Sequence, residues 1–309
     1  MDTLVGLLTL SLPFFLLVGL GWISARHGIV PVSALGALNA VVLYLALPAM
    51  LVVLGRQWAQ QGFSGFAALP LYALAGALLG VIAWQRLRQE PSRGRRGMAV
   101  LVTLFPNTGF LGVPLLSALL GQSAAALLVA TIVYDLVITS TVCLAAAGAQ
   151  EQGLRRALRN PLPYAVGFGV LLGTTGLALP GPVERCVQLL AQAVTPTALV
   201  ALGVALAVPQ PEASRSAGHQ ALQLATLKLI GHPLIALGLG WLALQAGWLQ
   251  APQLQLLVLA CALPGAANVA LLAERLGLAG ALVPRAILLT TLAAPLSLPL
   301  FAWLLGVQA

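Results

Sequence analysis

Two apolar stretches in this chain are each broken by a proline with an asparagine nearby. They are Phe105-Pro106-Asn107-Thr108-Gly109 in the first half and Leu263-Pro264-Gly265-Ala266-Ala267-Asn268 in the second. Proline removes a backbone donor and disturbs the turn before it, so each stretch is expected to form two half-helices. Halves of about ten residues reach about 15 Å at ~1.5 Å per residue, half of a bilayer core of about 30 Å. Both breaks then fall near the midplane, where unpaired amides and carbonyls must be buried in protein or line a wet cavity. Gly109 and Gly265 are expected to supply the unusual dihedrals at the breaks.

A bilayer is the solvent that the composition calls for, because 60% of residues are hydrophobic and only 7% are charged. Division at charged, Gly-rich and Pro-rich interruptions predicts ten spans: 4–24, 35–54, 66–85, 97–120, 124–148, 163–179, 184–208, 219–245, 253–273 and 283–304. The first segment is too long for a cleavable leader and carries Asp2 in front, so it reads as span one. The fold class is therefore an all-α polytopic membrane protein with residues 1–150 and 151–309 holding five spans each. An odd number of spans per half means that a duplicated second half is threaded upside down. Prolines recur in pairs accordingly: Pro48 with Pro196, Pro70 with Pro233, and Pro106 with Pro264.

The net charge of +8 would suit a nucleic-acid surface if the cations shared one face, but they sort by loop instead. Odd-numbered loops hold Arg26, Arg86, Arg88, Arg93, Arg95, Arg96, Arg155, Arg156, Arg159, Arg215, Arg275 and Arg285, whereas even loops hold Arg56 and Arg185. By the positive-inside rule both termini face outward, and no nucleic-acid partner is expected. Cys143, Cys186 and Cys261 lack metal-ligand spacing and read as packing residues. His232 precedes Pro233 inside span eight and reads as a packed, hydrogen-bonded histidine, with a proton relay as the sharper alternative.

Asp135 in span five and Lys228 in span eight are charges within the membrane, each costing roughly 2.5–3.5 kcal/mol on insertion scales. Two readings stand: the charges pair with each other or offset half-helix dipoles, or they couple transport by exchanging a proton or meeting a substrate carboxylate. At the breaks, half-helix N-termini carry partial positive charge and favour carboxylates, while Asn107 and Asn268 bring amides to the same depth.

The sequence around the breaks resembles the auxin efflux carrier family, with its bacterial organic-acid, malate permease-like members. Leu104-Phe105-Pro106-Asn107-Thr108-Gly109-Phe110-Leu111-Gly112-Val113-Pro114-Leu115 is similar to that family's fourth-span motif. The segment from Ala262 to Asn268, followed by Ala273-Glu274-Arg275-Leu276-Gly277, is similar to its ninth. The resemblance implies two inverted five-helix repeats whose spans four and nine cross in a transport domain (spans 3–5 and 8–10). Spans 1, 2, 6 and 7 would form the scaffold. It also implies alternating access of an elevator type, a small organic anion as substrate, and a homodimer joined through the scaffold. Carried onto this chain, Pro106, Asn107, Thr108, Gly109, Pro264 and Asn268 would line the substrate site. Span two from Leu47 to Val52, with Pro48, would supply its apolar wall. Plant members place an acid and a lysine near the start of span three, where this chain has no charge, so Asp135 and Lys228 are the natural substitutes.

No phosphate-cradling loop is present, so no cofactor is expected and the drive would be a proton, sodium or voltage gradient. Location would be the bacterial inner membrane. The rival readings are an intramembrane serine protease, resting on Gly62-Phe63-Ser64-Gly65, and a passive anion channel, since broken helices also line pores.

Overall fold

The computed structural model of the chain describes residues 2–62, 66–121, 124–149, 159–208, 215–278 and 280–307. Ser64 of the protease-like tetrapeptide lies outside them. The described elements are helical apart from one isolated bridge. The first half contains α1 (Asp2–Arg26), α2 (Leu35–Val41), α3 (Leu47–Gln60), α4 (Leu69–Arg86), α5 (Arg93–Leu104), α6 (Val113–Leu120), α7 (Ala124–Tyr134) and α8 (Ser140–Ala146). The second contains α9 (Pro161–Thr175), α10 (Gly181–Leu206), α11 (Arg215–Thr226), α12 (His232–Gln245), α13 (Ala251–Ala262), α14 (Asn268–Arg275) and α15 (Leu282–Leu304). Seven of the resulting rods are long and apolar enough to cross a membrane, among them Val32–Gln60 and Ala217–Gln245. Exposed Leu16, Leu78, Leu171, Leu242 and Leu296 form the apolar exterior that lipid requires.

Four π-helical turns are spliced into these rods: Val42–Ala46, Thr108–Gly112, Asp135–Thr139 and Leu227–Gly231. Three of them end two residues before a proline, namely Pro48, Pro114 and Pro233. A proline cannot donate to the carbonyl four residues back and its ring crowds that carbonyl, so the preceding turn widens. At Asp135–Thr139 there is no proline, and the Ser140 hydroxyl instead donates to the Asp135 carbonyl at 2.9 Å. Span six ends earlier than its hydropathy suggests, at Thr175, because Gly176 turns left-handed with φ 70. Its helix is 15 residues long.

Glycine brings two helix pairs into reciprocal backbone contact. Where α1 crosses α10, a Cβ on Gly21 would collide with the Val200 carbonyl, and one on Gly203 would collide with the Val18 carbonyl. Where α3 crosses α9, Gly169 meets the Val52 carbonyl in the same way, and a Cβ on Gly55 would stand 2.6 Å from the Val166 oxygen. Gly21 and Gly169 are 148 residues apart, as are Gly55 and Gly203, the same offset that separates Pro48 from Pro196. Gly97 of α5 also stands close to α8, where a Cβ would lie 2.9 Å from the Cys143 carbonyl oxygen, and side chains pack in one buried cluster containing Leu51, Leu115, Leu199 and Leu257 and a second around Met98, Leu101, Leu224 and Ile287.

Candidate functional site at the helix crossing

The two broken stretches meet. Helix α5 ends at Leu104 and α13 at Ala262, and the extended residues that follow pair in antiparallel fashion as a bridge between Pro106 and Gly265. The Asn107 amide donates to the Pro264 carbonyl at 2.8 Å and the Ala266 amide donates to the Phe105 carbonyl at 3.0 Å. Each break thus satisfies the backbone groups of the other, which is how non-helical backbone survives at this depth. The Gly265 amide is taken up separately by the Thr290 hydroxyl of α15 at 3.2 Å.

Glycine serves this crossing through its size and not, as its sequence context suggests, through unusual dihedrals: neither Gly109 nor Gly265 has a positive φ. A Cβ on Gly265 would lie 2.9 Å from the Val102 carbonyl, and one on Gly112 would lie 2.5 Å from a Leu263 methyl. The crossing segments are too close for any side chain there. At Gly109 a Cβ would meet only Leu47 of α3, at an ordinary 3.5 Å. Leu47 is therefore the wall residue facing the crossing. Val52, further along α3, lines a cavity at the helix's C-terminal end, and Pro48 is half-buried.

Three side-chain atoms at the crossing are buried and lack a hydrogen-bond partner among the described residues: Asn107 Nδ2, Thr108 Oγ1 and Asn268 Oδ1. Such an atom costs about 1–3 kcal/mol when nothing pairs with it. Asn107 and Thr108 offer donors where a new helical segment begins, at its electropositive end. Asn268 opens α14, the corresponding half-helix of the second stretch. This arrangement is suited to receiving an oxyanion.

Asp135 and Lys228 are fully buried beside this region, and they do not pair directly. Asp135 accepts from the Tyr72 hydroxyl at 2.7 Å and from the Thr139 hydroxyl at 2.8 Å. Lys228 Nζ lies 3.1 Å from His232 Nδ1 and donates to the Cys261 carbonyl at 3.4 Å. The Tyr72 ring bridges the two groups, 6.1 Å from the His232 ring between centroids. Tyr72 gave no sequence signal, because one tyrosine in an apolar span resembles any packing residue. His232 did carry one: it follows Lys228 by four residues, the spacing that puts two side chains on one helical face.

A family model described as "Membrane transport protein" matches residues 7–153 and again residues 149–302. The chain belongs to that family, the auxin efflux carriers. It is a multi-span membrane transporter and not an enzyme. A Rhizobium meliloti protein provisionally named a malonate transporter is 29% identical over 301 residues, which cover 92% of this chain and 91% of the relative. An uncharacterized transporter of Methanothermobacter thermautotrophicus is 28% identical over 94% of this chain and 96% of its own. The uncharacterized transporter YfdV of Escherichia coli is 28% identical over 85% and 86%. The paired extended segments fall one in each matched stretch of this carrier chain.

Proposed function

We propose that this carrier is a secondary transporter of small organic anions that binds its substrate at the helix crossing. The observation that carries the reading is the cluster of Asn107 Nδ2, Thr108 Oγ1 and Asn268 Oδ1, buried without partners beside the Pro106–Gly265 bridge. A carboxylate placed there accepts from Asn107 and Thr108 and relieves two unpaired groups at once. Short dicarboxylates are the first class to test, since one relative bears a malonate transporter's name.

The protein works by alternating access of an elevator type. Spans one, two, six and seven (α1, α2–α3, α9 and α10) form the scaffold, and the remaining helices carry the site past it. Ten spans arranged as two inverted repeats are supported by the reciprocal glycine contacts, in which α1 against α10 has its counterpart in α9 against α3. Asp135 and Lys228 couple the movement to a gradient, each through its own partners. Both termini face outward from a bacterial inner membrane, because the arginine-rich loops face the cytoplasm.

The test is uptake of radiolabelled mono- and dicarboxylates into liposomes holding the purified protein, with proton, sodium and voltage gradients imposed separately. Saturable, gradient-dependent uptake with countertransport is expected. Non-saturating flux would instead identify a channel, and no flux of any carboxylate would remove the anion reading.

A further inference from the structure

A cavity of about 310 Å³ lies at the C-terminal end of α3, between it, the end of α9 and the start of α10, away from the crossing. That volume lies within the range of small-ligand sites. Its apolar side includes Val53 and Leu172, and its polar side is made by Arg56, Gln57, Glu184 and Gln188. Arg56 Nη1 donates to Glu184 Oε2 at 3.1 Å and Gln188 Nε2 donates to Glu184 Oε1 at 3.1 Å. The carboxylate is thus held from both sides while each oxygen keeps a free lone pair, and the guanidinium keeps most of its five N–H donors. Gln57 Oε1 is buried and has no donor among the described residues.

These groups do not describe a site for a bare anion. Arg56 is already neutralised, and a second carboxylate would be repelled by Glu184 while leaving the Gln57 oxygen unpaired. The complementary ligand carries both signs, with an oxyanion for Arg56 and N–H donors on a cation for Glu184 and Gln57. We propose that this cavity binds a zwitterion bearing a primary ammonium and a phosphate, with the ammonium between Glu184 and Gln57 and the phosphate on Arg56. Depth favours a lipid as the source. Gln60 is the last residue of α3 and Glu184 the fourth of α10, so the polar groups lie within about two turns of helix ends, at headgroup level. Val53 and Leu172 continue the cavity toward the acyl region. A phosphatidylethanolamine headgroup has the required chemistry, whereas phosphatidylcholine lacks ammonium N–H groups and phosphatidylglycerol lacks the cation. Because an ethanolamine phospholipid is neutral overall and the cavity lies among α3, α9 and α10, away from the crossing, this site is independent of the substrate reading.

The experiment is native mass spectrometry of the purified full chain from nanodiscs of phosphatidylethanolamine, phosphatidylcholine or phosphatidylglycerol, with a parallel titration of free O-phosphoethanolamine in detergent. Ethanolamine lipid should be retained at least tenfold over the other two and lost in Glu184→Gln and Arg56→Gln. Gln57→Leu removes the unpaired acceptor together with its amide NH2, leaves the ion pair intact, and should weaken retention several-fold. If O-phosphoethanolamine binds with the same variant sensitivity and the lipid does not, the site takes a free zwitterion. Equal retention of all three lipids with no O-phosphoethanolamine binding would overturn the proposal. So would a folded Gln57→Leu protein that binds both probes like wild type.

Discussion

Gly203→Ala should damage the protein far more than its single added methyl suggests. At this position a Cβ collides with the Val18 carbonyl and stands 2.7 Å from the Trp22 amide nitrogen, against 3.4 Å for ordinary contact, so the two backbones must part by at least 0.7 Å (3.4 less 2.7). The obstructing atoms are backbone, and no flexible side chain can yield. A radial gap of about 0.5–1 Å forfeits a quarter to a half of each dispersion contact along the seam. Overpacking of this kind costs about 1–3 kcal/mol, and alanine's better helix propensity returns at most about 1 kcal/mol. A net loss of up to about 2 kcal/mol is expected. Gly19 supplies the control, since a Cβ there meets nothing within 4 Å and only the propensity gain remains. Denaturant unfolding in mixed micelles should place Gly203→Ala about 1–3 kcal/mol below Gly19→Ala. The same comparison repeats 148 residues on from Gly19 and Gly21, with Gly167 open and Gly169 against the Val52 carbonyl. Equal stability of Gly203→Ala and Gly19→Ala would refute the argument that α1 and α10 are locked by backbone contact.

At the crossing, Asn107→Ala should leave folding intact and weaken substrate binding about 10- to 100-fold, the value of one hydrogen bond to a charged group. Wild-type affinity in uptake assays would count against the site. Gly265→Ala should lose both stability and binding, because its Cβ meets the Val102 carbonyl at 2.9 Å, while Gly109→Ala, with only Leu47 at 3.5 Å, should stay within a few-fold of wild type in both. Lys228→Ala should abolish uptake, and adding Asp135→Asn should not restore it, because each charge is held by separate partners; recovery in the double variant would mean that the two merely neutralise one another. Cys186 is exposed beside Arg185 whereas Cys143 and Cys261 are buried, so a membrane-impermeant maleimide added to intact cells should label Cys186 alone; labelling only after lysis would reverse the orientation.

The two breaks were legible in the sequence from Pro106 and Pro264 with Asn107 and Asn268 nearby, and their crossing from the family resemblance of the residues around them. The π-helical turns were not legible by the same logic, because Pro48, Pro114 and Pro233 each follow one while Pro13, Pro196, Pro295 and Pro299 sit in continuous α-helix, and Asp135–Thr139 has no proline. Glycine was read less well. Gly19 and Gly21 are indistinguishable in sequence, and only the helix packed across from them separates open space from a carbonyl. The sequence left the roles of Asp135 and Lys228 open between pairing and separate functions, and the partners of each side chain were not legible for a related reason. Two isolated charges in apolar spans invite direct pairing, yet the hydrogen bonds that Asp135 accepts come from the Tyr72 and Thr139 hydroxyls. Hydroxyl-bearing residues are common in membrane helices, so nothing marked these two beforehand.

The distribution of contact types gives the proposed sliding its physical basis. The bonds that join Tyr72 to Asp135, Lys228 to Cys261, Asn107 to Pro264 and Gly265 to Thr290 all lie among the helices assigned to the moving part. The reciprocal glycine seams of α1 with α10 and of α3 with α9, and the Arg56–Glu184 pair, lie among α1, α3, α9 and α10, while Gly97 against the Cys143 carbonyl and Gly265 against the Val102 carbonyl lie within the other set. Both kinds depend on fixed geometry: a hydrogen bond fails beyond a few tenths of an ångström, and a glycine seam tolerates no displacement along a helix that would bring a Cβ over it. Between the two sets, the contact described at the crossing is Leu47 against Gly109, a methyl group on a surface with no side chain. Dispersion across such a surface is non-directional and nearly constant as one face moves over the other. Directional contacts within each set and the apolar contact of Leu47 on Gly109 between them are what the proposed sliding requires at the crossing, since the bonds that form the site need not break for it to move.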